Sequence, residues 1–149
     1  MAECRRHSHA KLTIRFSYKE EIALAAKKGE TLWVIPDGYI PPQSSGELES
    51  HESICVLNTN HMDAQLIVNV YFEDREPLEG ITVLVPAKRT LHQRTALLRS
   101  GSESIPKGVP YAMEVMSDIP VYVQYSRLDA TQPANALMSV MAYPVRDNQ

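Results

Sequence analysis

An all-β fold, an antiparallel β-sandwich of about eight short strands, is what this sequence predicts, and three observations predict it. Apolar and polar residues alternate with a period of two in several segments, most clearly in Ala64 to Phe72 and Val121 to Arg127. Turn signals such as Asp37-Gly38, Asn58 to Asp63 and Asp118-Ile119-Pro120 separate those segments at even spacing. The ten prolines and six glycines are scattered as punctuation, with no internal repeat and no low-complexity block.

The elements follow in order. Residues 1–30 read as an N-terminal extension outside the sandwich domain, which spans residues 31–149. Met1 to Lys11 is basic and contains His7 and His9, so it reads as a disordered tail or as a nucleic-acid-binding arm. Tyr18 to Lys28 has the composition of a short helix, with acidic residues ahead of basic ones and Gly29 to stop it. An alternative is that this segment is not native protein: Lys19-Glu20-Glu21 is encodable as a purine-rich ribosome-binding site, with Leu24 at the distance of a non-standard start codon.

From Thr31 onward the chain reads as strand. Thr31 to Ile35 is ended by Pro36 and the Asp37-Gly38 turn, and Ile40 to Gly46 is an extended loop. Glu52 to Thr59 is a strand in which Cys55 is expected as a small buried hydrophobe. Ala64 to Phe72 sets Leu66, Val68, Val70 and Phe72 against Ile67, Asn69 and Tyr71, so one face is core. Ile81 to Val85 is β-branched and apolar, and after Pro86 the piece Arg89 to Arg94 places Thr90, His92 and Arg94 on one face. Leu97 to Pro110 reads as a loop, Tyr111 to Ser117 and Val121 to Arg127 as two strands, and Ala136 to Tyr143 as either a last strand or a short helix.

Composition bounds the function classes. A chain of 149 residues is one domain's worth, able to bury ~70% of its unfolded surface without disulfides or metals. A net charge of -3 makes no general electrostatic case for nucleic acid. Two cysteines in unlike segments, Cys4 and Cys55, indicate no disulfide framework, and no apolar run approaches membrane-spanning length. The cytoplasm is therefore the expected location, with no membrane insertion.

Four polar groups carry the chemistry. Trp33 to Tyr39 brackets Asp37 with aromatic rings; Trp33 is first a core residue, and a Trp-Asp-Tyr group near a turn also suits a polar ring or sugar. Ser50-His51-Glu52 puts adjacent strand residues on opposite faces, and without a second ligand at tetrahedral spacing no metal or other cofactor is expected there. In Arg89-Thr90-x-His92-x-Arg94, the residues Thr90, His92 and Arg94 on one strand face make a basic stripe able to hold a carboxylate or phosphate, or a charged edge that discourages pairing between molecules. Gln124, Arg127, Asp129 and Gln132 crowd the end of a strand; from spacing alone, a local Arg127–Asp129 ion pair fixing a turn is the favoured reading.

Taken together, the segments W-V-I-P-D-G-Y-I-P-P, S-H-E-S-I-C-V-L-N, Y-F-E-D-R-E-P, V-P-A-K-R-T-L-H-Q-R and P-V-Y-V-Q-Y-S-R-L-D-A-T-Q-P-A-N-A-L-M-S resemble the sensory rhodopsin transducer family, in order, over about residues 31–143. Residues 1–30 fall outside the resemblance. It implies a cytoplasmic β-sandwich that assembles as a homotetramer. A rhodopsin-associated member acts as a signalling partner with a link to DNA, and relatives without a rhodopsin imply binding of small molecules such as sugars.

The family's recurring polar positions fall here on Asp37, Ser50, His51, Glu52, Arg89, His92, Arg94, Gln124, Arg127, Asp129 and Gln132. The resemblance turns the balance at Arg127 toward one wall of a polar site. On this reading Arg127→Ala leaves folding nearly intact and abolishes the response to ligand.

Three function classes stand side by side. The leading one is a binding or sensing module, taking a small polar ligand that is sugar-like or anionic. An interaction protein docking to a membrane receptor or to DNA is the second. An enzyme with Glu52 or Asp129 as base and His92 as acid is the third, and it requires His92 against a carboxylate in a closed pocket.

Overall fold

The computed structural model describes residues 29–146. The strands are β1 (Glu30–Tyr39), β2 (His51–Asn58), β3 (Ala64–Phe72), β4 (Leu78–Val85), β5 (Arg89–Arg94), β6 (Arg99–Ser100), β7 (Glu103–Ser104), β8 (Pro110–Asp129), β9 (Ala136–Met141) and β10 (Tyr143–Pro144), with one 3-10 turn at Thr95–Leu97. The expected helix at residues 18–28 and the basic arm at residues 1–11 lie outside the described residues. No helix among the described residues is long and apolar enough to cross a membrane.

The fold is nearly all β, and every strand pair is antiparallel. One strand, β8, organises it. The first half of β8 pairs with β1 and β3, giving the order β10-β1-β8-β3-β4. Its second half pairs with β2 and β9, giving the order β9-β8-β2-β5. The short β6–β7 ribbon lies apart, inside the segment expected as a loop.

The sequence reading has two strands where β8 runs as one of 20 residues. Along the β1–β8 ladder, the register passes from Leu32↔Met116 to Glu30↔Val121. Two steps on β1 thus span five on β8, and the surplus falls at Ser117 to Pro120. That surplus is a bulge, where Pro120 has no ladder hydrogen bond to lose. Asp118 Oδ1 accepts the Gln65 N–H at 2.8 Å, and the Pro120 carbonyl accepts Asn60 Nδ2 at 2.7 Å. The expected turn is therefore a pinned bend that carries one strand from one sheet into the other.

A second bulge replaces the expected turn at Asp37-Gly38. Strand β1 continues through Pro36 to Tyr39, with its register to β8 slipping by one residue between Ile35 and Gly38. At Gly38 a Cβ would stand 2.6 Å from the Tyr111 ring. Only a residue without a side chain lets the bulge lie that close.

Alternation sets the core as expected in β3, where Leu66, Val68 and Val70 are fully buried. In β8, Tyr111, Met113 and Val115 before the bend and Val121, Val123 and Tyr125 after it are all buried. Each such apolar side chain removed from water contributes about 1.5–3 kcal/mol before entropy is counted. Trp33 is core, and its indole N–H donates to the Glu30 carbonyl at 3.0 Å. Cys55 differs from expectation. It is an outward-facing, half-buried free thiol, because the inward positions of β2 are Glu52, Ile54, Val56 and Asn58.

Candidate functional site

Glu52 opens the inward face of β2, and its side chain is buried from solvent. Such a carboxylate needs donors, since burying it without them costs several kcal/mol. Four converge on it. The Tyr39 N–H at the β1 bulge donates to Oε1 at 2.8 Å, and Arg127 Nε donates to the same oxygen at 2.6 Å. The Tyr125 hydroxyl also donates to Oε1, and the Tyr111 hydroxyl donates to Oε2. The buried Thr95 hydroxyl stands 2.9 Å from the Tyr111 oxygen and 3.4 Å from the Glu52 carbonyl.

This network shifts its members. Burial first, then the nearby Glu52 carboxylate, pushes the Tyr111 hydroxyl far above the usual phenol range. Burial and the hydrogen bond to Glu52 do the same to Tyr125. Partial burial pulls the Arg127 guanidinium down, but its bonds to Glu52 and Tyr125 outweigh that and hold it above its ordinary value. Arg127 Nη2 also reaches the Tyr125 oxygen at 3.2 Å and the exposed Asp37 carboxylate at 3.7 Å. The arginine fork is thus mostly spent on protein groups.

A second feature lies on the outer face of the β9-β8-β2-β5 sheet. Strand register lines up two rows there: His92, Cys55, Gln124 and Met141 in one, and Thr90, Leu57 and Tyr122 in the other. These seven residues line a shallow groove of about 370 Å³. The groove offers an imidazole, an amide, a hydroxyl and a phenol ring over an apolar floor, without a carboxylate or a guanidinium. Gln124 Nε2 donates to the Ser139 hydroxyl.

The structure therefore divides the residues singled out from sequence. Asp37, Glu52 and Arg127 meet in the buried network, and His92 and Gln124 meet in the groove. Ser50 is buried, its hydroxyl donating to the Gln43 carbonyl at 3.2 Å and accepting the Ala130 N–H at 2.9 Å, which ties a loop to the end of β8. The His51 ring donates to the Glu49 carbonyl at 2.8 Å. Arg89 donates to the Lys88 carbonyl at 3.0 Å, and Arg94 stands 3.7 Å from Glu49, which Lys107 also holds at 2.6 Å.

Asp129 does fix a turn, but through Thr131, whose N–H and hydroxyl donate to Oδ1 at 2.9 and 2.6 Å. Those bonds lower its carboxyl from the ordinary value. Arg127 turns instead toward Glu52, because its side of β8 faces inward. Gln132 is exposed in the segment between β8 and β9.

Tyr111, Tyr125 and Thr95 were missed as partners of Glu52. The available signal was a glutamate in phase with the inward residues of its strand, facing tyrosines equally in phase on theirs. His92 lies in the open groove, away from any carboxylate among the groove's lining. Among the described residues no three His, Cys, Asp or Glu side chains gather in a way that could hold a metal ion.

Comparison with known proteins adds to this geometry. The family model described as "Anabaena sensory rhodopsin transducer" matches residues 28–144. No curated protein matches the chain. Among solved structures, the chain is similar to the crystal structure of Thermotoga maritima 1070, with a TM-score of 0.71 and 35% identity over 80% of this chain and 97% of that one. It is also similar to the Anabaena sensory rhodopsin transducer, with a TM-score of 0.62 and 37% identity over 70% of this chain and 92% of that one.

Proposed function

The chain belongs to the Anabaena sensory rhodopsin transducer family, and from that premise we propose that it is a non-enzymatic signalling module whose state is set by a small, polar, uncharged ligand. The ligand lies in the groove on the outer sheet face. The assembled form is a homotetramer, and occupancy is passed to a protein partner of the receptor kind that the family name suggests. Location in the cytoplasm belongs to the same reading.

One observation carries the choice of ligand. The groove brings His92, Thr90 and Gln124 together with the Tyr122 ring, which is the combination that hydrogen-bonds and stacks a sugar-like ring. The arginines that would favour an anion are engaged elsewhere: Arg127 with Glu52 and Asp37, Arg94 near Glu49, and Arg89 with a carbonyl. The acid-base reading lacks the closed pocket it requires.

Calorimetry and thermal melting against a panel of sugars, nucleosides and small carboxylates test this. A ligand present at a hundred times its dissociation constant stabilises the folded state by about 2.7 kcal/mol, which for a domain of this size is a rise of roughly 5–10 °C in melting temperature. The expected result is a rise with an uncharged sugar or nucleoside that His92→Ala and Gln124→Ala each reduce. Silence across the panel at millimolar concentration, or a response only to carboxylates, overturns it.

A further inference from the structure

Two sulfur donors and an imidazole share the outer face of the β9-β8-β2-β5 sheet. Register sets His92 of β5 directly opposite Cys55 of β2, Cys55 opposite Gln124 of β8, and Gln124 opposite Met141 of β9. All four lie on one row and line the same groove. A thiol, a thioether and an imidazole therefore border one space, and the function proposed above uses neither sulfur.

The row is built so that the three can meet. Side chains directly opposite each other on neighbouring strands have Cβ atoms about 4.5–5.5 Å apart. That spacing lets a cysteine sulfur and a histidine nitrogen bond one ion between them, at bond lengths of about 2.3 and 2.0 Å. Met141 stands on the strand beyond Gln124. The Gln124 amide leaves the row, because its Nε2 donates to the hydroxyl of Ser139, which lies in the neighbouring row opposite Ser126. Methionine is long, unbranched and adaptable, and at 57% exposure Met141 has room to lean into the space so freed.

The donors are only lightly engaged. The Cys55 thiol lies 3.9 Å from the Ser126 hydroxyl, a weak contact for sulfur. Among the described residues, no hydrogen bond or ion pair holds the His92 ring.

The chemistry of the set selects its ion. Thiolate and thioether sulfur favour soft, monovalent copper, whereas structural zinc takes four donors from cysteine, histidine and carboxylates. The groove has no carboxylate in its lining, and its third donor is a methionine. We propose that Cys55, His92 and Met141 form a three-coordinate site for copper(I) at this end of the groove. As the sulfur–copper bond forms, the thiol gives its proton to solvent and the copper keeps its oxidation state. The site shares His92 with the ligand reading but does not rest on it, and its test contains no sugar or nucleoside.

That test is competition for copper(I), kept reduced by ascorbate, between the full chain and the chromophoric chelator bicinchoninate. Cys4, His7 and His9 also offer donors, so the reference chain carries Cys4→Ala and each groove variant is made in it. Circular dichroism checks that every variant is folded. The reference is expected to hold one copper more than the Cys55→Ser variant does. His92→Ala and Met141→Leu should each weaken that copper by more than about tenfold, since losing even an outer partner of a metal site has an effect of that order. Equimolar zinc(II) should displace none of it. Equal uptake by the reference and Cys55→Ser overturns the site. Copper held by His92→Ala or by Met141→Leu as tightly as by the reference overturns the three-donor set, and displacement by zinc overturns the choice of ion. None of these failures touches the ligand reading.

Discussion

Glu52 and Arg127 define the chemistry at the scale of single residues. Removing Arg127 leaves the buried Glu52 carboxylate with the Tyr39 N–H and two tyrosine hydroxyls as donors but without its cation. Breaking a buried pair in this way costs about 3–5 kcal/mol, and because Arg127 is 22% exposed the lower end applies. Arg127→Ala is therefore expected to lower stability in urea denaturation by about 3 kcal/mol, contrary to the neutral outcome that the sequence reading implies. Glu52→Leu should rescue part of that loss when combined with it, since the two residues form one interacting unit.

The tyrosines give a pH dependence. Folding raises the hydroxyls of Tyr111 and Tyr125 above their ordinary value, so the folded state keeps two protons that the unfolded chain releases near pH 10. Their contribution is complete below about pH 10 and is lost as pH rises above it. Spectrophotometric titration of the seven tyrosines should show these two ionising only together with alkaline unfolding. Early ionisation of all seven contradicts the buried network.

Elements are shaped by two bulges. The β1 bulge lets Gly38 lie against the Tyr111 ring and carries the Tyr39 N–H to Glu52. Gly38→Ala should cost about 1–3 kcal/mol through overpacking, read as a lower melting temperature, because the ring it strikes is held by its own hydroxyl contacts. The bend in β8 rests on Asp118 and Asn60. Asp118→Ala and Asn60→Ala should each cost about 1 kcal/mol. Both of these features were readable only as interruptions. A proline or an Asp-Gly pair marks a break in a ladder, and whether that break is a turn or a bulge depends on neighbouring strands distant in sequence.

For the molecule as a whole, alternation along β3 and β8 was sufficient to predict an antiparallel all-β fold, because a period of two is a local property that one buried face imposes on the chain. The motifs were also sufficient to place the chain in its family. Tertiary structure decided what the polar residues do. Glu52 meets Tyr111 at a separation of 59 residues, Tyr125 at 73 and Arg127 at 75, and the groove is two rows drawn across four strands. Residues that looked like one polar site by their chemistry were divided between a sealed network and an open groove. The physical reason is that a strand's own pattern says which residues share a face, whereas only sheet register and the packing of sheets determine which faces meet.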